Sequence, residues 1–135
     1  MAGTIVCNTL NTDTGLFSTN NAYTGIAKAW VNFQGGGGNT AGTINGSFNV
    51  SSITVNSTGY YTVNFSTALS NSTYSVSGNA SANTSSTQQY LVFQPFSNPA
   101  TGTTISPTTS SFVCSTGSYT VGVIAPTYVN IVVLD

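Results

Sequence analysis

Tyr60-Tyr61-Thr62-Val63-Asn64-Phe65-Ser66 is the stretch that decides the fold. Tyr61, Val63 and Phe65 take every second position, with Thr62 and Asn64 between them. That is the two-residue period of a strand with one buried and one solvated face. The alternation returns at Val129, Ile131 and Val133, and at Ala27, Ala29, Val31 and Phe33. Further short runs lie at residues 4–8, 43–50, 53–56, 74–78, 90–94, 112–115 and 119–125, punctuated by turn formers. No segment carries the 3.6-residue period with caps that a helix needs. Short strands spaced by roughly 8–12 residues predict an all-β chain, an antiparallel β-sandwich of jelly-roll type.

Charge is nearly absent. Lys28, Asp13 and Asp135 are the only formally charged side chains in 135 residues, and Glu, Arg and His are missing. Soluble domains are ordinarily about a quarter charged. General acid–base catalysis draws on His, Glu, Asp, Lys or Tyr at a tuned pKa, and only Tyr is in supply here. An enzyme is therefore not expected, nor a cofactor, nor a metal site. Asp13 and Asp135 could in principle form a glycosidase pair or, in a trimer, an axial cation ring. Their places in an arm and at residue 135 favour plain solvated charge. A net charge of −1 gives no case for nucleic acid, which needs clustered Lys and Arg. It also leaves a monomer little charge for solubility, which points to life in an assembly.

No window of about 18 apolar residues exists, so no membrane span is expected. The start, Met1-Ala2-Gly3-Thr4-Ile5-Val6-Cys7, lacks a basic n-region, so a secretion signal is not expected and folding where the chain is made is. Ser, Thr and Asn exceed a third of the chain, a polarity that disordered segments share. Seven Tyr, seven Phe and many Val and Ile argue for a folded β-protein instead. Cys7 and Cys114 allow two readings: a disulfide tying the N-terminus to a late strand, or two buried thiols, which a reducing cytosol favours.

The chain divides into an N-terminal arm, 1–25, and a β-sandwich domain, 26–135. The arm holds a short strand and then turn formers, including 11–15 and 18–21. It reads as a docking arm, with Ile5, Val6, Leu16 and Phe17 as contacts, or as an edge strand of the sandwich. Gly35-Gly36-Gly37-Gly38 lacks the following Lys and helix of a phosphate loop and reads as a flexible hairpin tip. Residues 97–111 read as a long polar loop, either a binding rim or a connector.

Ala27-Lys28-Ala29-Trp30-Val31-Asn32-Phe33, Ser47-Phe48-Asn49-Val50-Ser51-Ser52-Ile53, Gly59-Tyr60-Tyr61-Thr62-Val63-Asn64-Phe65 and Tyr74-Ser75-Val76-Ser77-Gly78 form an ordered series. The series resembles a β-domain of tailed-bacteriophage virion proteins, notably tail fibres of phages of marine bacteria and cyanobacteria. The likeness covers roughly residues 26–80, with a looser one at 128–134. It implies a virion structural role as a homotrimer, with other tail or capsid proteins as partners.

Alternation puts Lys28, Trp30 and Asn32 on the side opposite Ala29, Val31 and Phe33. A Trp there suits a subunit interface or a sugar-stacking platform, and an ordinary core position is the competing reading. The segment 79–90 is rich in uncharged amides and hydroxyls, and Asn79, Asn83, Gln88, Gln89 and Tyr90 form a candidate receptor-binding loop for a host surface glycan. A solvated connector is the competing reading. Seven Asn-X-Ser/Thr sequons, at Asn45, Asn49, Asn56, Asn64, Asn71, Asn79 and Asn83, follow from composition. The expected function is a non-enzymatic virion protein at the particle surface, a short trimeric fibre or knob that contacts the host envelope. With only about 25 residues ahead of the matching block, a capsid decoration protein is the alternative. A secreted carbohydrate-binding module is a third reading, disfavoured by the missing signal.

Overall fold

Among the described residues every regular element is a strand. The computed structural model describes residues 9–12, 15–18, 26–81, 90–93, 105–118 and 122–134. β1 (Thr9–Thr12) and β2 (Gly15–Ser18) pair as an antiparallel hairpin, Thr12 opposite Gly15. The other strands are β3 (Ala27–Gln34), β4 (Ile44–Phe48), β5 (Val50–Ser57), β6 (Tyr60–Phe65) and β7 (Ser75–Ala80). They are completed by β8 (Tyr90–Phe93), β9 (Ser111–Ser118), β10 (Gly122–Val123) and β11 (Tyr128–Leu134). These nine make one antiparallel sheet in the order β4-β3-β11-β7-β8-β9-β6-β5, with β10 added to β9.

The two ends of that path, β4 and β5, are consecutive in the chain, so the sheet curls into a half-barrel. A single residue joins them. Asn49 takes a left-handed φ of 54°, which Asn tolerates better than most residues. Its Nδ2 reaches the carbonyls of Lys28 and Thr67 at 3.1 Å each. The sequence predicts one strand over 43–50, whereas the structure breaks it at Asn49 and starts a new strand at Val50.

The core fills the curl. Ala29, Val31 and Phe33 of β3 and Val129, Ile131 and Val133 of β11 are buried, as are Tyr61, Val63 and Phe65 of β6 and Phe112 and Cys114 of β9. The alternating positions thus point inward as their period requires. Phe33 meets Tyr61 edge-to-face with ring centroids 5.1 Å apart, joining the two halves of the curl. Such a pair adds about 0.5–1.5 kcal/mol beyond area burial. Phe65, Tyr74 and Phe112 form a second aromatic cluster, and the Tyr74 hydroxyl lies 2.9 and 3.1 Å from the carbonyls of Thr108 and Ser111.

The glycine run is the β3–β4 hairpin connection, but it is docked. Gly35 N–H donates to the Thr127 carbonyl at 3.0 Å and Gly37 N–H to the Pro126 carbonyl at 2.9 Å. The buried Tyr61 hydroxyl donates to the Gly35 carbonyl at 2.6 Å. A Cβ at Gly35 would lie 2.5 Å from the Pro126 carbonyl oxygen, so this close approach requires glycine. The flexible tip read from the sequence is in fact a fixed corner.

Within 1–25 the described residues carry more strand than expected, and the strand expected at 4–8 lies outside them. Residues 11–15 read as a turn, yet Asn11, Thr12 and Gly15 are strand residues, which leaves Asp13 and Thr14 between the strands. Two-residue connections are the commonest hairpin loops, and polar residues flanking one need not leave the ladder. Of the expected docking contacts, Leu16 and Phe17 fall on β2 opposite Asn11 and Leu10, and Ile5 and Val6 lie outside the described residues. The segment 119–125 shows only β10 as strand, with 119–121 outside the described residues.

Candidate functional site

Because Ala29, Val31 and Phe33 face the core, Lys28, Trp30, Asn32 and Gln34 face out. Strand register then fixes their neighbours. Trp30 pairs with Phe48 on β4 and Val132 on β11, and Val132 pairs with Ser77 on β7. The next row is Gly46, Asn32, Asn130 and Asn79. Trp30 is 44% exposed and therefore not a core residue. Phe48, Leu134, Tyr128 and Ile26 are also exposed, so among the described residues most of the large apolar side chains left to solvent stand on or beside this one surface.

The second row is tied together by its side chains. Gln34 Nε2 lies 3.4 Å from Asn45 Oδ1, and Asn45 Nδ2 donates to Asn32 Oδ1 at 2.7 Å. Asn32 Nδ2 donates to Asn130 Oδ1 at 2.5 Å, and Asn130 Nδ2 donates to Asn79 Oδ1 at 3.0 Å. The amides run head to tail across four strands, each donating to the next. Among the described residues nothing accepts from the Asn79 amide or from the Trp30 indole N–H.

Between the indole and this ladder lies an open depression of about 370 Å³. Trp30 and Val132 border it on one side and Asn32, Asn130 and Asn79 on the other, with Ser77 at the β7 end. Val31, Ile131 and Gly78 contribute its floor. Gly78 is obligatory there, since a Cβ would come within 2.5 Å of the Asn130 carbonyl oxygen. The Trp30 benzene ring covers Gly46, 3.5 Å from where a Cβ would stand, so the indole leans over β4 and leaves the β11–β7 side open. No lining residue carries a charge.

The structure joins residues that were expected to serve different tasks. Trp30 and Asn32, expected at a subunit interface, border the same depression as Asn79, expected at the start of a receptor loop. Lys28 shares their face without lining it. Tyr90 begins β8, its backbone opposite Ala80, while Asn83, Gln88 and Gln89 lie outside the described residues. Asn45, Asn130, Phe48 and Val132 are additions. The alternation of 128–134 already sets Asn130 and Val132 on the solvent side, but only register reveals that Asn130 sits between Asn32 and Asn79.

Other chemistry is sparse. Cys114 is a free, fully buried thiol, and burial pushes its pKa up to about 12, far from a reactive thiolate. Cys7 lies outside the described residues. Among the described residues no three His, Cys, Asp or Glu gather as metal ligands. Comparison with family models, with curated proteins and with solved structures gives no match to the chain.

Proposed function

We propose that the chain is a non-enzymatic structural protein of a tailed-phage particle, displayed at the surface as a short trimeric knob. On this reading the outer face of β4, β3, β11 and β7 is its contact surface. The observation that carries the proposal is the character of that face: an exposed Trp, an exposed Phe and a ladder of amides, with Lys28 its single charge. Exposed apolar area rimmed by polar groups marks a place where something docks. A face with almost no charge can be covered without desolvating ions, which suits dense packing in a shell or fibre. The ordered likeness of 26–80 to phage virion β-domains supplies the biological setting. The apolar end, with Ile26, Phe48 and Leu134, suits subunit packing, and the amide-lined end suits contact with the host envelope. Repetition over many copies makes weak contacts sufficient.

Immunogold electron microscopy of purified virions, with antibody against this chain, tests the reading. Label at the tail or fibre tips is the expected result. Label over the head replaces the attachment role with capsid decoration, and no label ends the virion assignment. Native mass spectrometry of the purified chain should show a trimer.

A further inference from the structure

The contact face leaves open what it recognises. We propose that the depression beside Trp30 binds a neutral saccharide, the indole serving as the ring platform and the amide ladder reading the hydroxyl groups. The inference rests on the contact-face reading and narrows it to one class of ligand.

Three observations converge on that class. A sugar ring offers one apolar C–H surface and a rim of hydroxyls that both donate and accept. The depression matches this division, with Trp30 and Val132 along one side and Asn32, Asn130 and Asn79 along the other. A Trp with an apolar body and a polar tip suits a site that is part apolar and part wet. Second, the amides are already held by one another at 2.5–3.0 Å through Asn32, Asn130 and Asn79. Little side-chain freedom is then lost when a ligand arrives. Among the described residues nothing accepts from the Asn79 Nδ2 or from the Trp30 N–H, so these donors face a ligand. Third, no ionisable group lines the depression, so a carboxylate, sulfate or phosphate on the sugar would find no counter-charge there. Its volume of about 370 Å³ falls in the range of small-ligand sites, roughly 300–1,000 Å³.

The position is also informative. Asn79, the first residue of the expected receptor-binding segment, borders a platform that stands on the sheet surface, on residues fixed by register. Such a site tolerates change in the loops around it and is sensitive to any slip of β3 against β11.

Trp30 is the only Trp in the chain, so intrinsic fluorescence of the purified full-length protein reports directly on the platform. The titration uses a panel of neutral oligosaccharides (gluco-, manno- and galacto-oligomers and chitobiose) and an anionic set (oligogalacturonate and sialyllactose). A saturable change with at least one neutral sugar and none with the anionic set is expected. Asn79→Ala should weaken that binding about three- to tenfold, the loss expected for one uncharged hydrogen bond. Asn56→Ala, on the opposite outer face, should leave it unchanged. No change across the neutral panel, a preference for the anionic set, or equal loss in Asn56→Ala overturns the inference. The two readings fail separately. Label on virions without a fluorescence change removes the saccharide and keeps the knob. Saccharide binding without label on virions keeps the site and removes the particle.

Discussion

The curled sheet turns two polar faces to solvent, and they are made from the same residue types in different ways. On β5 and β6 the bonds are local. Asn64 Nδ2 lies 3.1 Å from both Ser52 Oγ and Thr54 Oγ1, and Asn56 Nδ2 donates to Thr62 Oγ1 at 2.9 Å. These partners are at most 12 residues apart in the chain. On the β4–β3–β11–β7 face the amide chain crosses four strands, and Asn32 and Asn130 are separated by 98 residues. The first face can form once one hairpin exists, while the second needs four strands from distant parts of the chain in register. Composition cannot tell them apart, and topology makes only the second a platform with aromatic rings beside it.

The largest expected effect asks whether the two faces stand or fall together. Burial lifts the Tyr61 and Tyr74 hydroxyls to about 12 from an ordinary 10, and the Cys114 thiol to about 12 from an ordinary 9. The unfolded chain releases these protons from about pH 9 upward while the folded chain retains them. Stability is then fully present below about pH 9 and is lost as pH rises to about 12. With no His in the chain, it should be flat across neutrality. In an alkaline titration Trp30 emission, which watches the ladder face, should change together with far-ultraviolet circular dichroism. An earlier change at Trp30 would show that the ladder face melts alone.

Next in size is Phe33→Ala, which removes the ring that meets Tyr61 across the curl. A loss of about 3–5 kcal/mol in urea unfolding is expected, with both faces affected. Adjacent tyrosines sharpen the contrast further. Tyr61→Phe deletes a hydroxyl bonded to the Gly35 carbonyl and leaves that carbonyl short of a donor, a loss of about 1–3 kcal/mol. Among the described residues the buried Tyr60 hydroxyl has no partner, so Tyr60→Phe should be neutral or slightly stabilising in the same assay. The smallest pair compares the faces themselves. Asn130→Ala removes two links of the ladder and should lower stability by about 1 kcal/mol, whereas Asn56→Ala removes one local bond and should stay within about 0.5 kcal/mol. Equal effects would erase the distinction between the faces.

What the sequence makes legible is whatever depends on neighbours along the chain. The period of Tyr61, Val63 and Phe65 announces an inward face, and that of Ala29, Val31 and Phe33 turns Trp30 outward. The β-class follows from these patterns alone. Pairing between distant strands is illegible, because nothing in 27–33 says that its partner is 128–134. The ladder therefore surfaces in the sequence only as scattered Asn residues. The break at Asn49 is hidden for another reason. It lies inside a run of strand formers, and only the left-handed φ of one Asn parts β4 from β5. The docked glycine corner escapes notice because its partners, Pro126 and Thr127, lie about 90 positions away.

The antiparallel match of β3 with β11 places Ala27 opposite Leu134, so the polypeptide enters and leaves the sheet side by side. Mechanical load applied between those two points would peel the strands apart one pair at a time, like a zip. Load passed instead from that end to the far Gly35–Pro126 corner pulls along the strands and strains all their rungs at once. A device anchored near residue 26 and gripped at the corner would resist tension along the strand axis. Gripped at residues 26 and 134 it would open under little force. Single-molecule pulling along the two axes should separate them.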